Sequence, residues 1–266
     1  MYRTLRILRI IIALLSLAVP TWALLWGYES VFVRMQILTA LIAGASVCLV
    51  FWAVVALIYG RIYCSTVCPL GTVMDGVALL SRKCRRKRRD YRYIEPSNRT
   101  RVVFVIIAFA LMLTGSASIP MLIDPYTAYA RMVQELIMVP LHIGPAGLFS
   151  VSAMGIAALT AIVVAAVAWK RGRRLCNTIC PVGSLLGAAS KQSLFHFEID
   201  PDLCINCGEC ERVCKSECID LLHHTVDTSR CVVCFDCGTV CPNNAITYRA
   251  GRHNLTTPLM QPKPDR

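Results

Sequence analysis

Apolar residues gather into four long runs, covering about Leu5–Tyr28, Ile37–Tyr59, Val102–Ile123 and Gly147–Trp169. Each is long enough to cross a bilayer core as a helix, which takes about 20 residues. Between the third and fourth runs, Asp124–Ala146 carries Arg131, Gln134 and Glu135 on an otherwise apolar segment. That pattern predicts a short helix lying in the membrane interface. Residues 1–190 therefore read as a four-helix transmembrane domain, residues 191–250 as a small cysteine-rich domain and residues 251–266 as a polar tail.

Charge gives the spans a direction. The 266 residues carry a net charge of +12, and 56% of them are hydrophobic. Residues 1–190 hold 20 Lys/Arg against 6 Asp/Glu, whereas residues 191–266 hold 8 against 10. The basic excess lies beside the apolar runs, so it reads as membrane topology and contact with membrane lipid, and nucleic acid is not an expected partner. Arg3, Arg6 and Arg9 precede the first run, and Arg82, Lys83, Arg85, Arg86, Lys87, Arg88 and Arg89 follow the second. Lys170, Arg171, Arg173 and Arg174 follow the fourth, while the other two loops carry only Arg34 and Arg131. Both termini are then expected in the cytoplasm of a bacterial inner membrane. A basic start and the Thr-Trp-Ala ending also allow the first run to be a cleaved signal peptide, although it is longer than a usual signal core.

Fifteen cysteines sharpen the picture. Cys204, Cys207, Cys210 and Cys214 form a C-x2-C-x2-C-x3-C run, and Cys231, Cys234, Cys237 and Cys241 repeat it 27 residues later. In such runs one tight loop wraps three thiolates around an iron–sulfur cubane, and the fourth cysteine serves the other cluster. Cluster one is expected on Cys204, Cys207, Cys210 and Cys241, and cluster two on Cys231, Cys234, Cys237 and Cys214. Zinc is the alternative metal. This region resembles the bacterial two-cluster ferredoxins, which implies an α+β fold. It departs from them where Lys215, not proline, follows Cys214, and Cys218 lies near enough to stand in as a ligand or to be a buried spare thiol. Ile205, Ile219, Val232 and Ile246 are the expected apolar shield.

A second repeat lies at the membrane edge. Gly60-Arg61 leads into Cys64-x3-Cys68-Pro69-x-Gly71, and Gly172-Arg173 leads into Cys176-x3-Cys180-Pro181-x-Gly183. Each motif follows a span and runs into an apolar segment, Val73–Leu80 or Ser184–Ala189, so the membrane half reads as a duplicated two-helix unit with both motifs on one face. Proline after the second cysteine suits the first position of a helix, whose positive end favours thiolate. Cys64, Cys68, Cys176 and Cys180 are therefore candidates for a shared redox site, either a further metal centre or a dithiol pair, screened by Val67, Leu70, Ile179 and Val182. The plain alternative is small residues packing a tight helix entry. Asp75 is a candidate proton acceptor for quinol chemistry or a helix-capping carboxylate, and Asp124, Glu135 and His142 are further candidates expected on the outer side. Cys48 and Cys84 have no counterparts in the other repeat and read as structural.

Four spans, two C-x3-C-P motifs and the C-terminal cysteine runs together resemble the NapH-type polyferredoxin family, and NosR and the CcoG-type proteins share parts of the plan. The resemblance implies a mainly α membrane protein with four transmembrane helices and two 4Fe–4S clusters. The implied activity is that of a quinol dehydrogenase or electron-transfer subunit, exchanging electrons between the quinone pool and a partner oxidoreductase. Two alternatives remain: a thiol or copper reductase fed by cytoplasmic electrons, and a non-enzymatic iron–sulfur assembly or regulatory subunit.

Overall fold

The computed structural model describes residues 1–26, 46–84, 91–95, 97–113, 124–141 and 151–251. Helix α1 spans Tyr2–Trp26 and α2 spans Ser46–Tyr59. A short α3, Ile62–Thr66, precedes α4, Pro69–Cys84, and α5 covers Asn98–Leu113. Then come α6 (Pro125–Val133), a π-helical turn (Gln134–Met138) and α7 (Val139–Leu141). Helix α8, Val151–Arg171, is followed by α9 (Arg174–Thr178) and α10 (Pro181–Ser190).

Two helices, α1 and α8, are long and apolar enough to cross a membrane. The second and third expected spans coincide in part with α2 and α5, and their remaining residues lie outside the described ones. Helices α1 and α8 share a burial pattern inverted from that of a water-soluble protein. Helix α1 buries Arg9, Ala13, Ser16, Pro20 and Ala23 and turns Ile7, Leu8, Ile11, Leu14 and Leu15 outward. Helix α8 buries Ala157, Val164 and Ala168 and exposes Ile156, Leu159 and Ile162. Helices α2 and α5 likewise expose Val50, Phe51 and Val54, and Val102, Ile106 and Phe109. Small residues facing inward let helices approach closely, and large apolar residues facing outward suit a lipid surround.

The expected interfacial helix differs from its prediction. Helix α6 packs against α1, α4 and α8. It buries Tyr126, Ala128 and Tyr129, and Tyr129 Oη is hydrogen-bonded to Thr21 Oγ1 at 2.5 Å. Asp124, expected on the outer side, is buried at its N-cap and accepts from the Tyr126 and Thr127 amides. Proline at the first helical position and an Asp cap make a strong start signal, so the segment forms a short helix inside the bundle.

The cysteine-rich part is built from β1 (Phe195–Ile199), α11 (Glu209–Val213), β2 (Ile219–Asp220), β3 (Thr225–Val226), α12 (Asp236–Val240) and β4 (Ile246–Ala250). Strand β1 pairs antiparallel with β4, from Phe195 opposite Ala250 to Ile199 opposite Ile246, and β2 pairs with β3. Phe197, Ile199, Val213, Ile219, Val233, Phe235 and Ile246 form its core. The N-terminus of α1 closes over that core. Tyr2 stacks on Phe235 with 6.4 Å between ring centroids, and its hydroxyl accepts from the Tyr248 amide at 2.8 Å. Arg6 pairs with Asp236 at 2.8 Å, and the Leu194 amide donates to Leu57 O at the end of α2 at 2.8 Å.

Candidate functional site

The two C-x3-C-P motifs fold alike. Gly60 and Gly172 end α2 and α8 in the left-handed region, at φ +77 and +57, and their amides bond back to Ala56 O and Ala168 O. This is the usual αL stop of a helix. One short helical turn follows, and then Cys68 and Cys180 open α4 and α10 with proline next. Each of these sulfurs accepts a hydrogen bond from the amide three residues on, Gly71 N or Gly183 N, both at 3.4 Å. Cys64, Cys68, Cys176 and Cys180 all lie in one buried cluster with Met74, Leu70, Val182 and Leu186. Leu70 and Val182 are buried as expected of a screen, whereas Val67 and Ile179 are half-buried. Cys176 Sγ lies 3.5 Å from Met74 Sδ. Burial pushes the Cys176 thiol up to about 11 and raises Cys68 and Cys180 further, each also feeling the charges of other members of the group. Only a bound cation or metal would keep such thiols deprotonated at neutral pH.

The arginine of each motif serves the other. Arg173 donates to Cys64 O, to Gly71 O at 3.1 Å and to Asp75 Oδ1 at 2.7 Å. Arg61 donates to Cys176 O at 3.4 Å, to Asn177 Oδ1 at 2.8 Å and to Ser229 O at 3.0 Å, and lies 3.8 Å from Cys64 Sγ. Both side chains are essentially inaccessible, at 0% and 1% exposure. The motif pattern assigned them no role. The signal was the identical Gly-Arg step before each cysteine pair.

Asp75 is a hub between these motifs and the cysteine-rich part. Its carboxylate meets Arg173 at 2.7 Å, Lys215 at 3.1 Å and Arg9 at 3.2 Å, and Lys215 also holds Asp236 at 3.1 Å. Burial alone would raise the Asp75 carboxyl, but the three cations hold it well below the usual carboxylate range. So paired, the carboxylate forms a junction between the two regions. Lys215, the departure from proline, supplies this contact, and its carbonyl accepts from the Arg173 amide at 2.9 Å. Glu135 is half-buried in the π-helical turn, and His142 lies outside the described residues.

The remaining cysteines fall into two groups. Cys204, Cys207, Cys210 and Cys241 line one hollow of about 350 Å³ of empty volume, open to solvent. Cys237 is buried near the rest of the second run, and burial first, then the charges of Cys234, Cys231, Cys214 and Cys210, raise its thiol. Both loops turn through left-handed residues at matching places, Asn206 and Gly208 in one and Val233 and Phe235 in the other. Valine and phenylalanine pay a steric penalty there, which a fold sustains where the turn aims backbone N–H groups into an anion nest. Among the described residues no three His, Cys, Asp or Glu side chains stand close enough to share one metal ion. Four thiols around a hollow fit a multinuclear iron–sulfur cluster, whose ligands stand farther apart than those of a single ion. Cys218 is buried with its sulfur 3.4 Å from Cys214 Sγ. That hydrogen bond favours thiolate on Cys214, bringing it to about 7, and raises Cys218. Ile219, Val232 and Ile246 are buried as an apolar shield requires, but Ile205 is exposed at 62%. Cys84 is exposed at the end of α4, and Cys48 is half-buried in α2.

Comparison with known proteins places iron–sulfur domain matches over both C-x3-C-P motifs and the first cysteine run. A 4Fe-4S binding domain family matches the chain twice, at residues 41–88 and 152–199, and a second 4Fe-4S binding domain family matches residues 196–219. The paired matches each contain one C-x3-C-P motif. The chain is 29% identical over 187 residues to the putative electron transport protein YccM of Escherichia coli, covering 65% of this chain and 46% of that protein. It is 27% identical over 181 residues to the ferredoxin-type protein NapH of Haemophilus influenzae, covering 64% and 52%. An uncharacterized protein of Methanocaldococcus jannaschii is 26% identical over 161 residues, covering 60% and 54%. The chain thus spans about half the length of the curated relatives it matches. No solved structure matches it.

Proposed function

We propose, for a chain that belongs to the NapH-type family of 4Fe–4S electron-transport proteins, that it exchanges electrons between the membrane quinone pool and a partner oxidoreductase. In this reading α1, α2, α5 and α8 begin or complete four spans, with both termini cytoplasmic. Cys204, Cys207, Cys210 and Cys241 hold one cubane, and Cys231, Cys234, Cys237 and Cys214 the other. Cys64, Cys68, Cys176 and Cys180 form a redox site at the membrane edge, as thiolates on a further metal centre. When bound, such clusters accept and donate single electrons.

The observation that carries the reading is the seam between the two regions. Lys215 and Ser216 follow Cys214 directly, and their carbonyls accept from the Arg173 amide at 2.9 Å and from Asn177 Nδ2 at 3.1 Å. Asn177 adjoins Cys176, so one continuous hydrogen-bonded contact ties the second ferredoxin group to the membrane-edge cysteines. Arg61 and Arg173 keep the two motifs in register and set positive charge beside the sulfurs. The packed apolar side chains exclude water. Burial of all four sulfurs to 4–6% exposure disfavours exchange with a disulfide or a hydrated copper ion, which needs direct access.

The test is anaerobic purification followed by quinol addition under EPR. Quinol should bring up reduced-cluster signals, and exchange of the quartet to serine should slow their appearance by at least about tenfold. Clusters that respond to dithionite but to no quinol would sink the proposal.

A further inference from the structure

A second, small hollow, open to solvent, lies beside the membrane-edge motifs. It is lined by Ser97 and Arg101 at the start of α5, by Arg174 and Asn177 of α9, and by Ser216 and Arg230 of the cysteine-rich part. Three of its polar atoms are buried with no hydrogen-bond partner among the described residues: Arg101 Nη2, Arg230 Nη2 and Ser216 Oγ. Their residues are 91–95% buried, with exposures of 9%, 5% and 5%. A buried donor without a partner costs about 1–3 kcal/mol, and more for a charged group. Three around one cavity make a site waiting for an acceptor-rich ligand.

We infer that this hollow binds a phosphodiester, through Arg101, Arg230 and Ser216. The remaining groups of Arg101 and Arg230 fix the geometry. Arg101 Nε donates to Asn177 O at 2.5 Å and its Nη1 to Ser229 Oγ at 3.1 Å, while Arg230 Nε donates to Asp227 at 2.6 Å. Each guanidinium is therefore held by one side and offers the other. Charge selects the ligand. Arg101, Arg174, Arg230 and Arg171 face Glu95, Glu217 and Asp227, with Arg171 3.9 Å from Glu217. The lining itself carries Arg101, Arg174 and Arg230 against Glu95 and Glu217, and Arg61 adds its charge on Arg101, so the hollow is net positive and suits a phosphate-type anion. Two tetrahedral oxygens can take charge-assisted bonds from the two arginines, and Ser216 can reach a third. Burial, and then the positive charge of Arg61, bring Arg101 down to about 10, and an anion would relieve that repulsion.

Position indicates where the ligand comes from. Immediately after Arg101, Val102 and Val103 are 55% and 51% exposed and open the apolar outer face of α5. The hollow thus stands where an apolar surface begins, at the height of phospholipid headgroups if α5 enters the membrane. A lipid headgroup and a free phosphate diester share the chemistry, and an experiment separates them.

The intact protein, purified anaerobically in detergent and delipidated, would be titrated calorimetrically with short-chain phosphatidylglycerol, with dimethyl phosphate and with inorganic phosphate. Saturable binding that is strongest for the lipid assigns the site to a headgroup. Equal binding of dimethyl phosphate assigns it to a soluble diester, and either result supports the site. Ser216→Ala removes a hydroxyl that holds nothing else in place and should weaken binding about threefold or more, and Arg101→Gln about tenfold or more. Failure of all three probes to saturate overturns the inference. So does unaltered affinity in Ser216→Ala, whether or not the Arg101 variant folds.

Discussion

Gly71 has no room for a side chain. A Cβ there would stand 2.6 Å from Cys64 O and 3.2 Å from Arg173 Nη1, and one on Gly183 would collide with Cys176 O and meet Arg61 Nη2 at 2.7 Å. The glycine of each C-P-x-G step thus lets the arginine of the other repeat reach the first cysteine. Gly71→Ala should lower stability by about 1–3 kcal/mol, as overpacking does, and disorder the crossed arginines. Gly76 in the same helix meets nothing within 4 Å, so Gly76→Ala should be neutral or stabilising by up to about 1 kcal/mol. Thermal unfolding of the two variants in detergent checks the pair, and equal melting points would remove the packing argument. Cys218 offers a second comparison. Its sulfur touches that of Cys214 but lies outside both cysteine runs, so Cys218→Ala should keep the full iron content. Cys234→Ser and Cys207→Ser should each lose one cluster, about four iron atoms. Iron analysis decides, and loss in the Cys218 variant would transfer the ligand role to that residue.

Between elements, the decisive contact is the buried ion cluster joining α1, α4 and the loop after α11. Removing one member of a buried ion group leaves its partners unpaired, at a cost of about 3–5 kcal/mol. Asp75→Asn would strand Arg9, Arg173 and Lys215 together, so it should melt well below the wild type. The sign with pH follows from the depressed carboxyl. The unfolded Asp75 takes a proton near about 3.9 and the folded one only at lower pH. Its stabilisation is therefore complete above that range and lost as pH falls through it toward the folded value. Wild-type stability should drop on acidification below about pH 4, and Asp75→Asn should show a shallower drop on the same limb. Parallel acid limbs would show that Asp75 is not the group that titrates. This junction was only half legible beforehand. The Gly-Arg steps and the missing proline at Lys215 were visible as patterns, but a charge partner more than a hundred residues away leaves no local periodicity. Asp75 was a candidate proton acceptor by its place after the first motif, and its three cationic partners are not visible from there. Nothing in the segment after Asp124 announces that α6 packs against α1, α4 and α8. By contrast, the two cysteine runs themselves stood out in the sequence, because cluster loops carry their ligands at short, regular spacings.

Taken as a whole, the molecule buries more cations than carboxylates. Arg9, Arg61, Arg101, Arg173, Lys215 and Arg230 are all buried among the described residues, against Asp75, Asp124, Glu217 and Asp236. Buried charge of one sign without compensation is costly, so the surplus calls for anions that the amino acids do not provide as neutral thiols. For Arg9, Arg61 and Lys215, which do not line the second hollow, thiolates on metal are one such source. They lie in the right places: Arg61 stands 3.8 Å from Cys64 Sγ, and the charges of Lys215 and Arg9 act on Cys234. The metal would then hold together the whole seam, beyond the loops that ligate it. Removal of iron by an anaerobic chelator should accordingly lower the melting temperature of the entire chain in one transition. Amide exchange should rise in β1 and β4 and also in α4 and α10, which carry no ferredoxin ligand. If exchange rose only in the cysteine-rich part and the membrane-edge helices kept their protection, the buried cations would be balanced without the clusters, and the two regions would be independent in stability.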